Sequence, residues 1–107
     1  MIFRLPLLLA AGLLLPAGSA LAADPNLARN LAATCANCHG TDGRPVPGAG
    51  MDNLAGMDRA WLINRLKDFR AGQRPGTIMP QIAKGYSEAQ LELIAGYFAA
   101  QKGEVRP

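Results

Sequence analysis

The apolar positions of the chain fall into four blocks with different periods. Residues 5–15 form an almost unbroken apolar run, interrupted by Pro6 and Gly12. A second block places Leu27, Leu31 and Thr34 or Cys35 at helical spacing behind Asp24-Pro25, a capping side chain followed by the residue favoured at a first helical position. This predicts a helix over about 25–36. In the third block Trp61, Leu62, Leu66 and Phe69 share one face, with Asp58 as cap and Gly72 as stop, so a helix is predicted over 59–71. The fourth carries Leu91, Ile94, Ala95, Phe98 and Ala99 behind Ser87, and Gln90 completes a capping box. No period survives in 40–50, which is rich in Gly and Pro, and Asp42-Gly43 reads as a turn. The chain continues irregularly over 51–57 around Leu54, and 73–85 is a second loop with one short turn at Ile82 and Ala83. Residues 103–107 read as a frayed tail. No stretch alternates with the period of a strand. The expected class is all-α: three main helices and long loops.

Long loops in a small domain need a task. The 107 residues suffice for one domain, yet they include only one Trp, two Tyr and three Phe. So few large side chains leave the interior short of volume, and small domains usually make up the deficit with a cofactor, a metal or disulfides. Two cysteines exclude a disulfide framework, and a bridge between Cys35 and Cys38 would close a tiny loop of little entropic value. Loops wrapped over the two faces of a flat cofactor would account for both the missing volume and the missing period.

The first block has the marks of a secretory signal. Arg4 supplies the positive start, Leu5 to Leu15 the apolar stretch, and Ala20-Leu21-Ala22 a small-residue cleavage site. Residues 1–22 are expected to be removed and 23–107 to form the mature domain, exported to the periplasm with no membrane span. A retained anchor is the alternative for this uncharged run, opposed by its two prolines and its small-residue exit. Cleavage removes one of the eleven basic residues from a chain of formal net charge +3. The remaining cations are dispersed, without the basic stripe and interleaved aromatics of a nucleic-acid binder.

Cys35-Ala36-Asn37-Cys38-His39 is a C-x-x-C-H pattern, the arrangement for covalent haem attachment. Positions i and i+3 share a helix face, so both thiols can reach the vinyl groups of one porphyrin, and His39 follows under the iron. Gly40 lets the backbone pass close to the ring. A thiol–disulfide enzyme would place the pair at a helix start after a strand. Zinc would require further Cys or His ligands, and the chain has none. With no second His, a methionine is the expected sixth ligand. Met79 lies in a loop able to return to the far haem face, beside Pro80, whereas Met51 and Met57 follow His39 closely and suit packing against the ring or the second helix. A filled coordination shell favours outer-sphere electron transfer over oxygen or peroxide chemistry. The expected site is one haem c, bound by Cys35 and Cys38, with His39 and Met79 on the iron.

With these residues in place, about 26–101 resembles a class I cytochrome c of the short bacterial kind. The resemblance implies that the first and last helices cross, with Leu31 against Tyr97 or Phe98, and that the methionine loop closes the distal side. It also implies a backbone carbonyl that orients the histidine, carried in the family by a Pro-x-Leu-Ala-Gly segment. Here the segment is Asp52-Asn53-Leu54-Ala55-Gly56; Asp52 replaces the proline, and a carbonyl remains available. The stretches Leu54 to Met57, Leu66 to Gly72, Thr77-Ile78-Met79 and Ile82 to Ser87 resemble the cytochrome subunit of flavocytochrome c sulfide dehydrogenase. That resemblance implies an electron-accepting role beside a flavoprotein that oxidises sulfide. An apolar rim of Ile78, Met79, Pro80 and Ala36 would suit a lasting partner. A freely diffusing shuttle between respiratory complexes is the alternative; a thiol–disulfide enzyme without haem is the alternative of another class.

Overall fold

The computed structural model describes residues 23–102; the expected signal segment 1–22 and tail 103–107 lie outside the described residues. Within them the chain forms five helices and no strand. These are α1 (Leu27–Ala32), α2 (Ala36–His39), α3 (Arg59–Ala71), α4 (Met79–Lys84) and α5 (Glu88–Ala99), with 3-10 turns at Ala33–Cys35 and Thr41–Gly43.

The helix expected over 25–36 starts later and ends later. The Asp24 side chain accepts the Asn26 N–H (2.8 Å), and the Asp24 carbonyl accepts the Leu27 N–H. Pro25 is therefore held in a turn, and helical bonding begins at Leu27. The helix then tightens into the 3-10 turn, relaxes as α2 and continues through His39. Gly40 stops it at φ +82°, where an added Cβ would stand 1.8 Å from the Arg44 carbonyl oxygen. Only glycine fits there.

The other boundaries follow their local signals. Asp58 accepts the Trp61 N–H at 2.8 Å, and Gly72 closes α3 in the left-handed region at φ +75°. Ser87 and Gln90 form the complete capping box of α5. The loop over 73–85 contains more helix than one turn: α4 has six residues, with Met79 first and Pro80 within the first turn, where a missing N–H costs no helical bond.

The core is small. Ala32, Leu62, Ile94, Ala95 and Phe98 form its buried centre, with Leu31, Leu54, Met57 and Tyr97 packed around them. The expected crossing of the first and last helices is thus present: α1 packs on α5, and Leu31 lies against the core cluster that contains Phe98. Helix α3 packs on both α4 and α5. Its apolar face is divided: Leu62 is buried, while Trp61 remains 41% exposed. Trp61, Leu66 and Phe69 turn toward a cavity among α2, α3, α4 and α5.

Candidate functional site

The cavity has a volume of about 580 Å³, within the range of cofactor sites (roughly 300–1,000 Å³). Its walls are mainly apolar, with Leu62, Leu66, Leu91, Ile94 and Phe98 among them. Cys35, Cys38, His39 and Met79 all line it. A cleft of this size with mainly apolar walls fits a large apolar group.

The thiols stand at the end of one helical run. Cys35 is half-buried and Cys38 exposed, and the two are not bridged. Burial pushes the Cys35 thiol above its ordinary value, and hydrogen bonding at Thr34 and the backbone offsets this only in part. A buried thiol with a raised pKa is a poor thiolate. It suits a side chain covered by a bound group better than one that attacks disulfides. Thr34, next in the chain, shares a hydrogen bond of 2.7 Å with the Tyr86 hydroxyl, which ties the cysteine helix to the start of α5.

His39 is the one buried polar residue of the described core, 9% exposed. Its Nδ1 lies 2.8 Å from the backbone carbonyl of Asp52. A carbonyl only accepts, so Nδ1 donates, and in the neutral ring the lone pair is then on Nε2. This is the second-shell arrangement of a metal-binding imidazole. It also identifies the orienting carbonyl: the residue at the substituted proline position supplies it through its own main chain, so the loss of proline costs nothing there. Among the described residues no three His, Cys, Asp or Glu side chains converge to hold a free metal ion.

The methionines separate by position. Met57 packs into the core and does not reach the cavity. Met51 lines it but is 39% exposed and adjoins Asp52, so it belongs to the histidine's own segment. Met79 comes from α4, forty residues further along the chain, and is partly buried. Of the expected apolar rim, Ile78 lines the mouth at 60% exposure, whereas Pro80 and Ala36 do not line it.

Two residues outside the expected set also belong to the site. Arg65 and Arg74 line the cavity, each guanidinium over an aromatic ring: Arg65 is 5.1 Å from the Trp61 ring centre and Arg74 is 5.5 Å from that of Phe69. Stacking holds both charges at an otherwise apolar wall. The i, i+4 spacing of Trp61 and Arg65 was the visible signal for the first; nothing local marked the second.

A helical shell around an apolar cofactor cavity, with a C-x-x-C-H run in its wall, defines a haem-protein class. No protein-family profile matches the chain. Individual relatives do. Cytochrome c-554(548) of Halomonas halodenitrificans is 36% identical over 72 residues, 64% of this chain and 86% of that one. The cytochrome subunit of sulfide dehydrogenase from Chlorobaculum tepidum is 38% identical over 68 residues, covering 64% of this chain and 60% of its own. The thiosulfate dehydrogenase electron acceptor of Thiomonas intermedia is 37% identical over 76 residues, covering 71% of this chain but only 35% of the acceptor. Reduced cytochrome c4 from Pseudomonas stutzeri superposes with a TM-score of 0.63 at 27% identity, over 74% of this chain and 50% of that structure. The chain belongs to the c-type cytochromes, with the class I fold. It spans about a third of the thiosulfate dehydrogenase acceptors and half of the cytochrome c4 structure. Membership implies covalently bound haem c.

Proposed function

We propose that the chain is a mono-haem electron carrier, exported to the periplasm by removal of residues 1–22. In this reading Cys35 and Cys38 hold the porphyrin by thioether bonds, and His39 and Met79 are the axial ligands. The carrying observation is that these four side chains line one apolar cavity, with the His39 Nε2 left free by the Nδ1 bond to Asp52. When bound, haem supplies a one-electron iron couple.

The protein side chains do the rest. The Asp52 carbonyl raises the basicity of His39. The Met79 thioether favours ferrous iron, and the apolar walls act in the same direction, because charge is costlier to bury in the ferric state. With His39 and Met79 both on the iron, no coordination position would remain for a substrate, and the site would exchange electrons rather than transform molecules. Arg65 and Arg74 would pair with the two propionate carboxylates, offsetting their charge. R65Q and R74Q should therefore each lower the reduction potential; unchanged potentials would remove both arginines from this role. A thiol–disulfide reading is disfavoured by the raised Cys35 thiol and by the absence of a strand among the described residues.

The partner we infer is a flavoprotein sulfide dehydrogenase. The chain covers 60% of the Chlorobaculum sulfide dehydrogenase subunit against 35% of the Thiomonas thiosulfate dehydrogenase acceptor, and its exposed Ile78, Ile82 and Trp61 border the cavity. Tagging the chain in its own cells and purifying it under mild conditions tests this. Co-elution of flavin absorbance, with haem reduction on adding sulfide, is expected. Recovery of a lone cytochrome defeats the subunit reading and favours the diffusing shuttle; haem reduction on adding thiosulfate instead of sulfide favours the thiosulfate dehydrogenase acceptors.

A further inference from the structure

The turn after the histidine contains the one non-glycine residue with positive φ among the described residues. Asp42 sits at φ 55°, ψ 24°, between Gly40 and Gly43, both also at positive φ. Aspartate tolerates this left-handed conformation better than most side chains, but not freely. Something must hold it. The Tyr97 hydroxyl, from α5, donates to Asp42 Oδ1 at 2.5 Å, and Arg44 approaches the other carboxylate oxygen at 3.9 Å.

From Asp42 a short chain of contacts runs through Gly43 and the Leu54 loop to the histidine. The Gly43 carbonyl accepts the N–H groups of Leu54 (2.9 Å) and Ala55 (3.2 Å). Gly43 is packed so closely that a Cβ would lie 2.8 Å from Phe98 and 2.9 Å from the Ala55 nitrogen. The same loop is gripped from α5 again, by the Gly56 N–H on the Phe98 carbonyl (2.9 Å). Two residues before Leu54 is Asp52, whose carbonyl receives His39 Nδ1. Successive residues of α5, Tyr97 and Phe98, therefore hold the two sides of the loop pair that positions the imidazole.

We propose that Tyr97 and Asp42 form a positioning clamp, which fixes the Asp52 carbonyl on His39 and so sets the basicity of its free nitrogen. This rests on the reading of His39 as an iron ligand. The last helix then does more than close the fold: besides the Phe98 carbonyl on the Gly56 N–H, its Tyr97 phenol holds the loop pair that carries the acceptor of the histidine hydrogen bond. Loosening that bond makes the imidazole a weaker donor and stabilises ferric iron less.

The test uses the ferrous holoprotein. Tyr97→Phe removes the hydroxyl and keeps the ring, which meets Phe98 edge-on with centres 5.6 Å apart. The His39 Nδ1–H should exchange with solvent about tenfold faster, the scale of one lost hydrogen bond, and the reduction potential should rise. Asp42→Gly, which suits the left-handed turn but lacks the acceptor, should reproduce both changes and carries the test if Y97F yields no holoprotein. Asp42→Asn, which keeps a carbonyl acceptor and tolerates the turn, should stay close to the parent. A lower melting temperature in Y97F with unchanged exchange and potential would reduce the contact to a structural tether and overturn the clamp, as would D42N shifting as far as Y97F. The underlying reading is checked separately in the parent protein. His39 ring resonances that do not move between ferric and ferrous states would remove the histidine from the iron, whatever the variants show.

Discussion

The two segments that supply the inferred axial ligands are built in opposite ways. The histidine segment, 35–56, is specified by polar bonds and backbone shape. His39 is buried, its Nδ1 is committed to Asp52, Gly40 and Gly43 take positive φ against close backbone neighbours, and α5 grips the loop twice. The methionine segment, 73–85, has little of this. Among the described residues its side chains find no hydrogen-bond partner, and Ile78 and Ile82 are exposed at 60% and 38%. Its order comes from Pro80 in the first turn of α4 and from α4 packing on α3. The contrast follows from the donors. An imidazole must present one of two nitrogens in one tautomer, so its second nitrogen needs a fixed partner. A thioether has no proton to assign, and a flexible, unbranched Met adapts its sulfur to the position required. The rigid side should therefore fail as a unit, and the adaptable side should lose its ligand while keeping its fold.

The largest effect is expected on the rigid side. Gly40→Ala would place a Cβ 1.8 Å from the Arg44 carbonyl oxygen at a positive φ. That combines steric overlap with a left-handed alanine, and should destabilise by about 3 kcal/mol or more. Holoprotein should scarcely accumulate, which haem absorbance per mole of chain measures directly. On the adaptable side, Met79→Ala should give a folded holoprotein with nearly parental helix content by circular dichroism. Its potential should fall and its iron should bind small ligands such as imidazole. If M79A spectra match the parent, the ligand moves to Met51, the other cavity methionine. If M79A fails to accumulate as G40A does, the contrast between the segments is wrong.

The same contrast decides what was legible in the sequence. The proposed haem attachment was written in five consecutive residues, because thiol spacing and the lone histidine are local constraints. The helices of the second half were equally local: Asp58, Gly72 and Ser87 with Gln90 mark boundaries by bonds that span three or four residues. The first helix was misread at its start because Asp24 serves a tight turn as readily as a cap, and only the three-dimensional path separates the two. Helix α4 was underestimated, since six residues after a glycine-rich stretch carry too little periodicity to see. Contacts across 55 residues, such as Tyr97 to Asp42, leave no trace in a single sequence. Arg74 lies in a loop and gave no sign of facing the cavity.

The smallest effect concerns alkaline pH and isolates the contact between α5 and the histidine loop. The hydrogen bond to Asp42 raises the Tyr97 pKa, with lesser contributions from burial and the Asp42 charge, while Arg29 pulls it down. A phenol bonded to a carboxylate must keep its proton to donate. Its contribution is therefore complete below the ordinary tyrosine value of about 10 and is lost as pH rises through the higher folded value. Arg29 from α1 and Arg44 beside Asp42 stay charged over this range, so neither produces the change. Any other change over this range is shared by the parent and Y97F and cancels in the difference. The Cys35 thiol, also raised, would be consumed by the proposed thioether bond in the holoprotein. Melting temperatures followed from pH 8 to pH 11 should start higher in the parent and converge with Y97F at the alkaline end. Parallel curves would mean that the hydroxyl contributes nothing that depends on its proton, and that α5 holds the histidine loop through Phe98 and Gly56 alone.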